Sequence, residues 1–279
     1  GDYVQAFRVA GLAFESIDEE SVNAWHERLN ALWRNLASPQ LAVWVHVLRR
    51  RERGYPAGEF PPGFARELNE RYRARLAGET LMVNELYVSL VYRPQPTLVG
   101  AAALALFRRT DKQGLAREVN EALEACEKVR GQFMAGLAAY EPEALGLVPD
   151  AVNGGERSPL LSLFGVLLNG ERQAWPLPRA RRRSGGDPRL RRARLGDALP
   201  TARLLFGHEA MEYRTASETR LGAFLGIKEY PTPTSVGMVN RLLTAPFPFV
   251  LTQSFAFLPK STAQGLLSRQ YHRMSNSGD

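Results

Sequence analysis

The stretch from Trp175 to Pro200 constrains the fold more than any other part of this chain. It combines prolines and glycines with eight arginines and one aspartate between Arg179 and Arg194, and it holds few large apolar side chains. A stretch of that composition cannot contribute much to a packed core, so we expect an exposed linker or long loop at 175–200. The sequence therefore predicts a domain boundary at 175–200, within the 279 residues.

The arginine run within this linker also accounts for the charge of the protein. Its net charge of +7 equals that of the whole chain, so the remaining residues together carry no net charge. Clustered guanidinium groups suit weak contacts with nucleic acid, anionic lipid or an acidic protein. No aromatic residue lies within the run to stack on bases, which favours an ordinary solvated loop. The candidate contact residues are Arg181, Arg182, Arg183, Arg191 and Arg192.

The region before the linker, residues 1–174, alternates strand and helix patterns. Strand-forming or buried apolar runs occur at 3–14, 41–48 and 81–92, and helical periodicity occurs at 22–36 and 64–76. Ser16 or Asp18 can cap the first helix. A long helix is predicted over 112–140, and a shorter one begins after Ser158 and ends at Gly170. The result is a β-α-β-α-β layer with two further helices.

The region after the linker, residues 201–279, predicts a smaller unit. Short β-like stretches at 203–206, 210–215 and 221–230 indicate a meander, followed by a short helix at 237–243. A half-buried strand at 249–257 and a last helix from Ser261 complete it. The fold class expected is α+β, with two small sheet-plus-helix subdomains joined by the basic linker and the long helix.

No motif in the chain predicts catalysis, cofactor binding or metal binding. A P-loop needs a Gly-Lys dipeptide, and none of the four lysines follows a glycine. The four histidines are scattered, and the single cysteine, Cys126, lies in the apolar stripe of the long helix. One cysteine fits a reducing compartment, and no apolar run approaches the roughly 20 residues that span a bilayer. We therefore expect a cytoplasmic protein.

Two segments suggest contact surfaces. Pro231 and Pro233 remove two amide donors after a predicted strand, so the segment Lys228, Glu229, Tyr230, Pro231 and Pro233 forms either a rigid contact surface or hinge, or a simple turn. The apolar run 98–107 between arginines is either a core segment or a patch that faces a membrane. An enzyme would instead need a pocket joining acids such as Glu209, Glu212 and Glu229.

Six segments carry a resemblance to a known family. They are GDYVQAFRVAGLAFES at 1–16, NAWHERLNALWRNLASP at 23–39, GETLMVNELYVSLVYRP at 78–94, LLNGE at 167–171, GIKEYPTPT at 226–234 and LTAPFPFVLTQSFAFLPK at 243–260. Together they resemble the N-terminal domain of type IV secretion and conjugal-transfer ATPases, the CagE, TrbE, VirB family, over essentially the whole chain. The basic run at 179–194 departs from the family's compact proline-containing link, so it inherits no role.

The resemblance implies a motor domain beyond Asp279 that carries the nucleotide site, so ATP and Mg belong to the full-length protein. It implies a homo-oligomer, a hexamer, at the cytoplasmic face of the bacterial inner membrane that powers pilus assembly and substrate transfer. This domain is then the docking part, with inner-membrane components of the machine and its own motor domain as partners. The alternatives are a nucleic-acid-binding module that uses the arginine loop, and an enzyme of unrecognised type.

Overall fold

A computed structural model describes residues 2–13, 16–52, 55, 58–94, 112–151, 154–177, 181–182, 190–191, 195–227 and 237–276. The chain divides into two compact units, one formed by Gly1–Ala144 with Ala245–Asp279 and the other by Leu145–Thr244. Both contain helices and antiparallel strands, which confirms the predicted α+β class. The second unit is therefore an insertion between two parts of the first.

The first part of unit one follows the predicted β-α-β-α-β order. Its elements are β1 (Tyr3–Val9), α1 (Glu19–Leu36), β2 (Leu41–Glu52), α2 (Phe64–Ala77), β3 (Leu81–Tyr92), α3 (Lys112–Gly136), a 3-10 turn (Ala138–Tyr140) and β4 (Pro142–Ala144). Asp18 caps α1, because its carboxylate accepts a hydrogen bond of 2.8 Å from the Ser21 amide. Of the two caps that the sequence allowed, the structure uses Asp18.

The second unit is built from short elements. They are β5 (Val148–Pro149), β6 (Glu156–Arg157), α4 (Pro159–Asn169), β7 (Arg181–Arg182), β8 (Leu190–Arg191), α5 (Leu195–Ala198), β9 (Arg203–Phe206), β10 (Met211–Arg214), β11 (Thr219–Gly222) and α6 (Asn240–Leu243). The strands β9, β10 and β11 form the predicted antiparallel meander, with β10 in the middle. Ser158 caps α4 and Pro159 occupies its first turn, as predicted.

The chain then returns to the first unit through β12 (Phe249–Ala256) and α7 (Lys260–Asn276). The strand β12 pairs with β2 along its whole length, from Phe249 opposite Arg49 to Ala256 opposite Ala42. It completes an antiparallel sheet of five strands in the order β12-β2-β3-β1-β4. The chain therefore leaves this sheet after one edge strand, β4, and returns to it as the other edge strand, β12.

The core of unit one lies between one face of this sheet and the helices α1 and α3. The rings of Phe7 on β1 and Phe133 on α3 pack with centroids 4.6 Å apart, and Trp33 on α1 contacts Phe133 at 6.3 Å. The buried members of this core are Phe7, Val9, Leu32, Leu36, Leu41, Val43, Val88, Leu90, Phe133 and Leu137. The helices α1 and α3 are stable at these positions because each buries its apolar stripe in this core.

The two units differ from the division expected at 174 and 200. Residues 145–174 belong to the inserted unit, and β12 and α7 belong to the first unit. Pairing between β2 and β12 joins residues that lie about two hundred positions apart, and hydrophobic periodicity does not specify partners at that distance. The linker expected at 175–200 also differs, because both of its described ends pack within the second unit.

The structure also corrects the predicted ends of one helix and one strand, and the burial of one residue. The long helix ends at Gly136 rather than Tyr140, and Leu123 is exposed whereas its neighbour Ala122 is buried. The strand expected at 221–230 is shorter, since β11 ends at Gly222 and residues 223–227 have no regular structure. The apolar run 98–107 lies outside the described residues.

Candidate interaction surfaces

The LLNGE segment is a structural junction inside the second unit. Asn169, at the end of α4, donates to the Leu199 carbonyl at 2.9 Å and accepts from the amides of Thr201 and Ala202 at 2.9 and 3.1 Å. Gly170 adopts a left-handed conformation with φ 69°, which ends the helix at little steric cost. Its carbonyl accepts a hydrogen bond of 2.6 Å from the Arg220 guanidinium on β11. This segment therefore connects α4 to the meander.

Trp175 anchors the start of the predicted linker to the same helix. Its carbonyl accepts from the Ser158 amide at 2.9 Å, and its amide donates to the Ser162 hydroxyl at 3.3 Å. The indole packs so closely on Gly165 that any added Cβ there would clash with it. The buried Leu199 secures the other end of the stretch. The composition of 175–200 predicted an open linker, because average composition does not show that one residue, Trp175, holds the segment against a helix.

The arginine run is described only where it forms β7 and β8. There Arg181 lies opposite Arg191 and Arg182 lies opposite Leu190, so part of the expected loop is a hairpin. The pairing places basic residues of both strands side by side. The predicted contact residues Arg183 and Arg192 lie outside the described residues.

The predicted proline segment also lies outside the described residues, since they break off between Ile227 and Gly237. This gap includes Lys228, Glu229, Tyr230, Pro231 and Pro233. The described chain that leads into it exposes large apolar side chains. The most exposed of these are Leu221, Phe224 and Leu225, with 80%, 75% and 96% of their surface accessible. We refer to residues 221–227 as the 221–227 segment.

The helix α2 presents a second exposed apolar surface, in unit one. Phe64, Leu68 and Tyr72 recur every four residues, the pattern that predicted an amphipathic helix, and all three are exposed. The opposite side contacts the rest of the unit, since Tyr55 donates to Asn69 at 2.8 Å and the Arg73 guanidinium lies 5.6 Å from the Tyr55 ring centre. Arg71 pairs with Glu67 along the exposed side. The apolar stripe of α2 therefore faces solvent.

A cleft of about 730 Å³ lies beside α2, between the end of β2 and the start of β3. Its charged lining residues are Arg51, Glu52, Arg73 and Glu79, two of each sign. Glu209 and Glu212, which an enzyme was expected to join in a pocket, do not line it, and Glu229 lies outside the described residues. Glu212 instead pairs with Arg214 at 2.8 Å. This cleft therefore does not join the acids that an enzyme was expected to use.

The sheet face opposite the core of unit one carries a network of buried polar side chains. Glu85 accepts from the Arg50 guanidinium and from the Tyr87 hydroxyl, both at 2.9 Å. Arg50 also pairs with Glu52, and these hydrogen bonds raise the pKa of Arg50. Such charge-assisted bonds satisfy groups that would otherwise be costly to bury. The network explains how the basic end of β2 fits into the sheet.

Two further side chains on β2 hold β12 and the chain that leads to it. The Arg49 guanidinium, which is buried, donates to the Ala245 carbonyl at 2.5 Å and to Asn84 at 2.8 Å. The ring of His46 lies 3.0 Å from the Thr252 hydroxyl. His46 was expected to be half-buried and is fully buried, and this burial lowers its pKa. Sequence patterns did not identify these roles, because both depend on the pairing of β2 with β12.

Two further features are absent from the described residues. Nowhere in the described ranges do three His, Cys, Asp or Glu side chains cluster as metal ligands would. None of the helices in the described part of the chain combines the length and apolar character that crossing a bilayer requires. Burial raises the pKa of the Cys126 thiol, which is typical of an apolar helix contact.

Comparison with known proteins finds the same family over both parts of the chain. Residues 1–98 match the family described as type IV secretion system ATPase VirB4/TrbE, N-terminal domain. Residues 151–279 match the family described as CagE, TrbE, VirB family, component of type IV transporter system. Together the two matches include all six segments on which the resemblance depends.

Individual relatives extend over nearly the entire chain. The type IV secretion system protein virB4 of Bartonella quintana is 32% identical over 97% of this chain, and that of Brucella melitensis is 31% identical over all of it. A PtlC homolog of Bordetella bronchiseptica is 33% identical over the full chain. The chain spans about a third of the length of these relatives. This chain belongs to the VirB4/TrbE/CagE family of type IV secretion system proteins.

Proposed function

We propose that this chain is the docking and assembly domain of a type IV secretion ATPase that energises pilus assembly and substrate transfer. The exposed 221–227 segment carries this proposal, because large apolar side chains exposed close together on a surface mark a contact site. It leads directly into Lys228, Glu229, Tyr230, Pro231 and Pro233, where the prolines favour a rigid, extended exit. The partners are inner-membrane components of the secretion machine.

The catalytic step belongs to the rest of the full-length protein. The relatives are about three times as long as this chain, and the family is described as an ATPase. The 279 residues contain no Gly-Lys dipeptide with which a P-loop could cradle phosphates. ATP and Mg would therefore bind to a motor domain outside this chain. The protein would then lie on the cytoplasmic side of the inner membrane, attached to its surface. The full-length protein would form a homo-oligomer.

The proposal is tested with this chain and with a protein extended through the motor domain. ATP hydrolysis and light scattering are measured on both. We expect hydrolysis and assembly only in the extended protein. Hydrolysis by the 279-residue chain would show that it contains a nucleotide site and would contradict the proposal.

A second test concerns the contact surface itself. Leu225→Glu in the full-length protein places a charge at a fully solvated position, so folding should be unaffected. We expect substrate transfer to fall at least about tenfold while ATP hydrolysis persists, because a charge disrupts an apolar contact. Leu123→Glu, at an exposed site on α3, is the matched control. Transfer that is equal in the two variants would remove the 221–227 segment from the proposal.

The nucleic-acid alternative rests on the β7–β8 hairpin, which sets Arg181 opposite Arg191. Binding through several phosphates must weaken steeply as salt rises. Deleting residues 179–194 should abolish that salt dependence if the hairpin binds DNA. DNA affinity that is weak and unchanged by the deletion would leave only the docking function.

A further inference from the structure

The five-stranded sheet of unit one has two edges that differ in kind. The edge strand β4 has three residues and contains Pro142 and Glu143. Short length, proline and charge are devices by which proteins prevent further strands from adding to a sheet. The other edge strand, β12, has eight residues, FVLTQSFA, with no proline and no charged side chain. One edge is therefore protected and the other is not.

The outer side of β12 carries no further strand in the described part of the chain. Among the described strands it pairs only with β2, and six of its eight residues are exposed. In an antiparallel pair, about half of the amides and carbonyls of an edge strand point away from its neighbour. The outer side of β12 thus presents a row of donors and acceptors spaced for one more strand.

The edge is also held firmly in place. Phe255 packs edge-on against Trp33 of α1, with ring centroids 5.4 Å apart. Thr252 contacts His46 on the neighbouring strand, and Arg49 holds the Ala245 carbonyl just before β12 begins. A strand fixed by these contacts loses little conformational freedom when a ligand pairs with it, which favours binding.

We propose that the outer edge of β12 binds one extended segment of a partner protein, which adds a sixth strand to the sheet. The segment would carry apolar side chains at every second position, to lie beside Phe249, Leu251 and Phe255 on the core face. Small or hydroxyl side chains between them would lie beside Thr252 and Ser254 on the other face. Its centre would be uncharged, because β12 offers no counter-charge.

The size of the edge favours a single strand over a second copy of this chain. Eight residues are far fewer than the roughly 20–30 residues that each partner contributes to a stable protein interface. Strand addition draws its affinity from main-chain hydrogen bonds, so it needs no larger surface. The inference rests on the proposed function, because an assembly domain requires such a docking segment, and it names the kind of segment and where it binds.

The test is selection of peptides on the purified 279-residue chain from a random library of displayed 12-residue sequences. We expect enriched sequences that alternate apolar and polar residues without a central proline. Binding is then measured to Gln253→Lys and Ser254→Lys, which place a charge on either face of β12 at exposed sites. Thr219→Lys, on the exposed edge strand β11, is the matched control.

Both β12 variants should weaken peptide binding at least about tenfold, because a lysine on an edge strand disfavours the addition of a strand whose centre is uncharged. The control should bind as the unchanged chain does. Amide exchange in β12 should slow when peptide is present. Circular dichroism establishes that each variant folds. If one of the β12 variants does not fold, the other is sufficient for the test.

Three results would overturn the inference. Enrichment of no alternating sequence, or binding that both β12 variants leave unchanged, would mean that the edge takes no strand. Dimers that form in the absence of peptide and dissociate in the lysine variants would assign the edge to a second copy. None of these results bears on the transfer defect expected for Leu225→Glu, so failure here is distinct from failure of the proposed function.

Discussion

The two compact units of this chain are stabilised in different ways. In unit one, helices α1 and α3 cover a sheet, and most of the buried apolar side chains of the described residues lie there. In unit two, the buried apolar side chains of the described residues are Leu161, Leu163, Leu199 and Met211. Its elements are joined instead by hydrogen bonds from Asn169 and by the anchoring of Trp175.

This difference bears on the two contact surfaces that we propose. A large apolar core makes unit one a rigid support, on which an edge strand such as β12 can be presented in a fixed shape. Unit two leaves large apolar side chains such as Phe224 and Leu225 exposed rather than buried. Because these side chains are not part of the core of unit two, a partner can cover them without disturbing that core. The following variants test the contrast, from the largest expected effect to the smallest.

The largest effect is expected for Phe133→Ala in α3. The Phe133 ring is fully buried and packs against Phe7 and Trp33, so its removal leaves a cavity in the core. We expect the free energy of unfolding to fall by about 3–5 kcal/mol, measured by urea denaturation. Leu123→Ala, on the same helix but exposed, should cost less than about 1 kcal/mol. Equal losses would mean that α3 does not form the core of unit one.

A smaller and more local effect is expected for Asn169→Ala. The change leaves the Leu199 carbonyl and the amides of Thr201 and Ala202 without their partner. We expect a loss of about 2–3 kcal/mol, because buried groups lose their hydrogen bonds. Amide exchange should accelerate over 199–206 and stay unchanged in β1 and β3. Acceleration in both units would show that they do not unfold separately, and the contrast would fail.

Gly165→Ala tests the second anchor of unit two. A methyl group at this position collides with the Trp175 indole, so α4 or the tryptophan must shift. We expect a loss of about 1–3 kcal/mol in thermal or urea unfolding. Gly131→Ala is the matched control, since it lies in α3 with open space around it and should be neutral or slightly stabilising. A stable Gly165→Ala would show that Trp175 does not anchor this stretch.

The sequence predicted local structure better than pairing. The strand at 81–92 and the ends of α4 agree closely with the structure, because periodicity, Ser158, Pro159 and Gly170 act over a few residues. The partnership of β2 with β12 was not predicted, because many apolar strands satisfy the same alternation. The open edge of β12 follows from that partnership, so it too required the structure. The family resemblance, by contrast, was readable from short segments.

The smallest effect is expected from pH and concerns the polar side of unit one. Burial lowers the pKa of His46 from its ordinary value of 6.5, so the folded protein holds this ring neutral beside Thr252. Between pH 6.5 and the lowered pKa, the unfolded chain binds more protons than the folded one. The contribution of His46 to stability is therefore complete above pH 6.5 and is lost as pH falls through the folded pKa.

Urea denaturation of the protein and of His46→Gln at pH 7.5 and 5.5 measures this contribution. The unchanged protein should lose more stability between the two pH values than His46→Gln, because glutamine cannot take up the proton. Identical losses would show that the ring is not held neutral by burial. Since His46 bonds across to β12, a local loss of protection in β12 at pH 5.5 would also show that this edge is the first part of the rigid unit to loosen.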